Sequence, residues 1–100
     1  MQPSPTQDCN TAERTVEIRN PEGLHMRPAM QFVDCANLYR SKVTVWKDSQ
    51  SVDGKSIMQV TTLIAIQGTQ LTIRASGPDA EAAVAALAEV IESVNNETSD

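Results

Sequence analysis

Apolar side chains recur at every second position in three segments of this chain: Val16 and Ile18, then Val43 and Val45, then Leu71, Ile73 and Ala75, with polar residues in the places between. Strands of that period bury one face only, so the segments form an antiparallel sheet with one wet side and helices covering the other. The helices come from stretches where the apolar period lengthens to three or four residues. Ala29, Phe32, Val33 and Ala36 define one, expected from about Met26 to Tyr39. Ala80, Ala83, Val84, Leu87, Ala88, Ile91 and Val94 share one face of another, and Glu81, Glu89 and Glu92 lie off it. Gly77-Pro78-Asp79 before it supplies a turn, a first-turn proline and an acid at the positive end of the helix. The expected fold is an α+β open-faced two-layer sandwich in one domain.

The remaining stretches are read from their turn and cap chemistry. Residues 1–12 hold two prolines and no periodicity, and are expected to be an unstructured tail. The first strand starts at Glu13, and Asn20-Pro21-Glu22-Gly23 ends it as a turn. Asp48-Ser49-Gln50 is a second turn, followed by a short third strand from Ser51 to Asp53 that Gly54 breaks. Ser56 to Gln59 fits a capping box, with the serine hydroxyl on a free backbone N–H and the glutamine reaching back to it, so a short helix follows. The β-branched run from Val60 to Ile66 fits equally a strand that pairs across Gly68 as a hairpin. Both readings stay open on pattern alone. The domain spans residues 13–94, and 95–100 is a frayed end.

Charge and composition exclude several functions. Eight basic residues scattered among thirteen acidic ones give a net charge of −5, which disfavours nucleic acid and anionic membrane surfaces. Trp46, Tyr39 and Phe32 are too few for a platform on which bases stack. No apolar run approaches the roughly 20 residues of a membrane span, and the N-terminal residues lack the pattern of a secretory signal, so a cytosolic monomer is expected. Cys9 and Cys35 lie in dissimilar settings and are expected to be free thiols. No motif for a metal or a nucleotide cofactor is present.

The chemistry concentrates at Gly23 to Ala29, which reads GLHMRPA and contains the one histidine of the chain. Pro28 belongs in the first turn of a helix, so a helix starts beside His25. First-turn N–H groups lack partners within the helix and carry the positive end of its dipole, which makes the place an anion site. A neutral imidazole is a nucleophile toward phosphorus, and a histidine of ordinary pKa, roughly 6.5, is largely neutral near pH 7. Arg27 offers several donors to phosphate oxygens. His25 and Arg27 are therefore the candidate residues for accepting and holding a phosphoryl group. Ser56 reads as an N-cap and, alternatively, as a phosphorylation site whose added charge lands beside Ile57 and Met58. Met26 and Met30, one turn apart and off the centre of the apolar stripe, read as docking surface or as core filling.

Residues 20–29 (NPEGLHMRPA) and 52–58 (VDGKSIM), with GTQLTI at 68–73 and the Gly77-Pro78-Asp79 helix start, resemble the HPr family of histidine phosphocarriers from the bacterial phosphotransferase system. The resemblance covers about residues 13–94. It implies the order βαββαβα and a helix, not a strand, over 56 to about 64. It implies too that His25 takes a phosphoryl group from Enzyme I and passes it to a histidine of an EIIA domain, assisted by Arg27. Ser56 matches the serine that HPr kinase/phosphorylase modifies, and Ile57, Met58, Met26, Met30 and Thr61 match the partner-docking surface. Met26, Asp34, Asn37 and Gln59 depart from residues frequent in the family. A regulatory module acting through phospho-Ser56 or a transport-free branch is the alternative that the resemblance carries.

Overall fold

The computed structural model describes residues 10–63 and 65–95. Its elements are β1 (Thr11–Glu17), α1 (Met26–Ala36), β2 (Lys42–Lys47), β3 (Gln50–Asp53), α2 (Ile57–Thr61), β4 (Gln70–Ser76) and α3 (Ala80–Asn95), the βαββαβα order that the resemblance implies. The strands form one antiparallel sheet in the order β1-β4-β2-β3. β4 enters between β1 and β2, so the two segments that the loops carry to one edge of the sheet, the β1–α1 loop and the chain around α2, become neighbours.

Register decides which side chains go inward. Val16 pairs with Leu71, Val45 with Ile73 and with Val52, and Val43 with Ala75, so the apolar members of each strand face the helices together. They pack against Phe32 and Ala36 of α1 and Val84, Leu87 and Ile91 of α3 in one core. All seven apolar residues read onto the face of the last helix are buried. The other side of the sheet is wet: Thr15 and Thr72 share a hydroxyl hydrogen bond of 3.1 Å there, and Glu13 lies 4.0 Å from Arg74 across the strands. No helix among the described residues is long and apolar enough to cross a membrane.

Several boundaries differ from expectation. β1 begins at Thr11, two residues before Glu13, because the ladder with β4 continues to the Thr11–Ser76 pair. Residues 1–9 and 96–100, with Cys9, lie outside the described residues; helix α3 reaches Asn95. Cys35 is a free, half-buried thiol of α1, and burial raises its pKa. Helix α1 stops at Ala36 rather than near Tyr39. The Asn37 amide donates to Val33 O at 2.9 Å and to Lys55 O at 3.2 Å, and Lys55 Nζ donates to Tyr39 O at 2.7 Å. The helix ends where Leu38 N–H and Tyr39 N–H turn to Cys35 O and Ala36 O, three residues back, in tighter hydrogen bonds.

Asp79 ties the start of α3 to the entrance of β2. Its carboxylate accepts from Ser41 Oγ at 2.5 Å and from the Arg40 and Ser41 N–H groups, each at 2.9 Å, while Asp79 N–H donates to Ser41 Oγ at 3.2 Å. These donors, the Ser41 hydroxyl first, lower its pKa to about 2. A carboxyl group whose pKa is depressed on folding stabilises the fold above its unfolded value and loses that contribution as pH falls through the folded value. Urea midpoints of the unmodified chain and Asp79→Asn should therefore differ at pH 5 and converge as pH approaches about 2.

Candidate functional site

His25 is the N-cap of α1, with extended backbone at φ −83° and ψ −171°, and its side chain makes no capping hydrogen bond. The imidazole is thus left for other use. Ala29 N–H donates to His25 O at 3.0 Å and closes the first turn, and Pro28, buried beneath it, has no N–H to satisfy. Met26 N–H, one of the donors a helix start leaves unused, meets no acceptor among the described residues. Arg27, the second helical residue, is exposed beside it. The ring is partly exposed, and its Nε2 lies 3.3 Å from Glu22 Oε1. That carboxylate faces one ring nitrogen and leaves Nδ1 on the other side. In the sequence Glu22 belongs to a turn and to the NPEGLHMRPA motif with no role of its own; its place three residues before a histidine becomes informative once the loop folds back.

The loop that carries His25 is held by backbone contacts at close range. Gly23 N–H donates to Asn20 O and Leu24 N–H to Ala65 O, both at 2.8 Å. Gly23 has φ +71°, and a Cβ there would stand 2.6 Å from Ala65 O. Only glycine meets both conditions without displacement.

Ser56 caps α2, and its Oγ accepts from Gln59 N–H at 3.3 Å. One half of the expected capping box is present; the other is not. Gln59 Oε1 accepts from Asp53 N–H at 2.9 Å instead of from Ser56 N–H, which donates to Asp53 O at 3.2 Å. Ser56 N–H is already taken by Asp53 O, and the Asp53 N–H at the end of β3 is the donor that the glutamine meets. Removing the cap hydroxyl in Ser56→Ala should lower stability by about 1 kcal/mol, read from urea denaturation. Helix α2 ends at Thr61, short of the implied 64, because Thr62 N–H and Leu63 N–H turn to Gln59 O and Val60 O in tighter hydrogen bonds.

Met26, Met30, Ile57, Met58 and Thr61 line one groove of about 370 Å³ between α1 and α2. Met26, Met30 and Met58 are 56%, 49% and 78% exposed, so these methionines are surface and not core filling. Val33 and Asp34 complete the lining. Their signal was helical spacing: Asp34 stands one turn beyond Met30 and two beyond Met26, on the same face. His25 and Arg27 flank the groove residue Met26 in the chain, and Ser56 precedes the groove residue Ile57.

A family model described as the PTS HPr component phosphorylation site matches residues 12–93. Phosphocarrier protein HPr of Borreliella burgdorferi is 46% identical over 76% of this chain and 88% of its own length. HPr-like protein Crh of Bacillus subtilis is 39% identical over 80% of this chain and 94% of its own. The crystal structure of HPr-C-His from Thermoanaerobacter tengcongensis superposes with a TM-score of 0.82 at 42% identity, covering 88% of this chain and 99% of that one. With its open-faced sandwich and its histidine at the start of the first helix, the chain belongs to the HPr family of phosphocarriers of the phosphotransferase system.

Proposed function

We propose that His25 accepts a phosphoryl group from Enzyme I, itself charged by phosphoenolpyruvate, and passes it to a histidine of an EIIA domain in the cytosol. The observation that carries this reading is the uncapped imidazole at the start of α1, with one nitrogen against Glu22 and an unused N–H at the helix start beside it. Nε2–H facing the carboxylate puts the lone pair on Nδ1. That lone pair attacks phosphorus, the bond from phosphorus to the donor's leaving atom breaks, and the electron pair departs with the donor. The helix start and the Arg27 guanidinium meet the added charge. Transfer onward is the same step in reverse, with His25 as leaving group. The protein is a relay and performs no turnover of its own.

The exposed methionines along the groove suit partners that present small apolar side chains, since an unbranched thioether adapts to several shapes. Ser56 supports a second reading. Its hydroxyl caps the helix that carries Ile57 and Met58, and a phosphate there adds about two negative charges at the groove. Likeness to HPr-like protein Crh favours keeping this reading: a regulatory module that an HPr kinase/phosphorylase would switch at Ser56. Intact mass separates the two. Phosphoenolpyruvate with catalytic Enzyme I should add one phosphoryl group that mild acid removes. No uptake from Enzyme I, with an acid-stable adduct from an ATP-dependent kinase that Ser56→Ala abolishes, would replace the relay by the module.

A further inference from the structure

Two buried asparagines join the end of β1 to the last turn of α3. Asn95 Oδ1 accepts from Arg19 N–H at 2.7 Å and from Asn20 N–H at 3.1 Å, and its Nδ2–H donates to Glu17 O at 2.9 Å. In return Asn20 Nδ2–H donates to Val94 O at 3.1 Å, one of the terminal carbonyls that a helix cannot satisfy itself. Asn20 and Asn95 are 7% and 5% exposed. The nearby ion pair of Arg19 with Glu92, at 2.9 Å, is half-exposed and adds little.

An apolar pair could seal this joint, since replacing both members of a buried hydrogen-bonded pair by apolar groups is often close to neutral. What the amides add is direction: they hold the backbone of residues 17–20 in one register relative to α3. That register is handed on toward the site. Asn20 Oδ1 accepts from Glu22 N–H at 2.9 Å and Asn20 O from Gly23 N–H at 2.8 Å, and Glu22 Oε1 meets His25 Nε2 at 3.3 Å. We propose that Asn95 is a positioning residue for His25, acting through Asn20 and Glu22 to hold Nε2–H and so keep the lone pair on Nδ1. This deepens the phosphoryl-carrier reading and rests on it for its use.

A neutral imidazole has two tautomers, and a carboxylate held near Nε2 favours one of them. Nitrogen–proton correlation spectra of the His25 ring in the full chain, at about pH 9 where a histidine ring is neutral, report their ratio. In Glu22→Ala the Nε2–H to Nδ1–H ratio should fall by up to about fivefold, the worth of one exposed charged contact. Asn95→Leu should lower it in the same direction, and adding Asn95→Leu to Glu22→Ala should change nothing further. Asn95→Asp keeps the acceptor for the Arg19 and Asn20 N–H groups while losing the donor to Glu17, so it should keep the ratio even where it lowers stability. A purely structural joint predicts the opposite, with any ring change tracking loss of stability in both Asn95 variants.

Glu22 is 75% exposed, so Glu22→Ala does not endanger the fold. An unchanged ratio in that variant overturns the proposal, as does an undiminished Asn95→Leu effect in the Glu22→Ala background. The spectra need no phosphoryl donor. A ratio that responds as stated in a chain that takes no label would leave the positioning intact and sink the carrier reading instead; under that reading the single-turnover rate of labelling falls alongside the ratio.

Discussion

His25→Ala is expected to take no phosphoryl group from phosphoenolpyruvate and Enzyme I, where the unmodified chain takes one. The sequence has one histidine, and the substitution removes the only imidazole that could attack phosphorus at this helix start. Its effect on folding should be small. The side chain caps nothing, it is 38% exposed, and the backbone contact that closes the first turn, Ala29 N–H to His25 O, survives the change. Surface replacements of this kind usually fall within about 0.5 kcal/mol. Loss of labelling with an unaltered urea midpoint separates chemistry from stability. Arg27→Ala, by contrast, should slow labelling without abolishing it, because the guanidinium stabilises charge and the nucleophile remains. Equal labelling of His25→Ala and the unmodified chain would place the acceptor elsewhere.

The second large effect is at Gly23, where two costs coincide. Alanine at φ +71° pays for a left-handed backbone, and its Cβ would stand 2.6 Å from Ala65 O and 3.1 Å from Ile66 Cα. The struck atoms belong to backbone, so no flexible side chain can move aside. Separation of the two segments also breaks the bond from Leu24 N–H to Ala65 O. Strain of about 1–3 kcal/mol together with a lost buried hydrogen bond of about 1 kcal/mol predicts a loss of roughly 2–4 kcal/mol for Gly23→Ala. The measurement is a urea titration with labelling rates on the folded fraction. Labelling should fall further than the folded fraction does, because the loop that shifts is the one that carries His25 and Glu22.

Much of this molecule is legible before any coordinates. The alternation of Val43 and Val45 with Thr44 and Trp46, and the four-turn stripe of α3, are direct images of burial, since each period places its apolar residues on one side. His25 is legible because Pro28 marks a helix start and a helix start is an anion site. The reading is weaker where a polar side chain chooses among several backbone partners. Gln59 bonds Asp53 and not its own cap, and Asn37, just past the end of α1, reaches across to Lys55 O. Both choices depend on how near another segment lies, and spacing along the chain does not encode that.

The same limit explains Glu22, Asn20 and Asn95, to which the sequence gives no part in holding His25. Local periodicity and cap chemistry, set by residues within one or two turns of each other, determined most of the elements, the core faces and the candidate histidine. Tertiary structure alone decided what surrounds that histidine. Placing β4 between β1 and β2 brings Ala65 against Gly23, and packing α3 on β1 brings Asn95 against Asn20 across 75 residues of sequence. Hydrogen bonds of about 3 Å between groups so far apart exist only after the core has closed, because burial of the apolar faces is what brings the amides within reach.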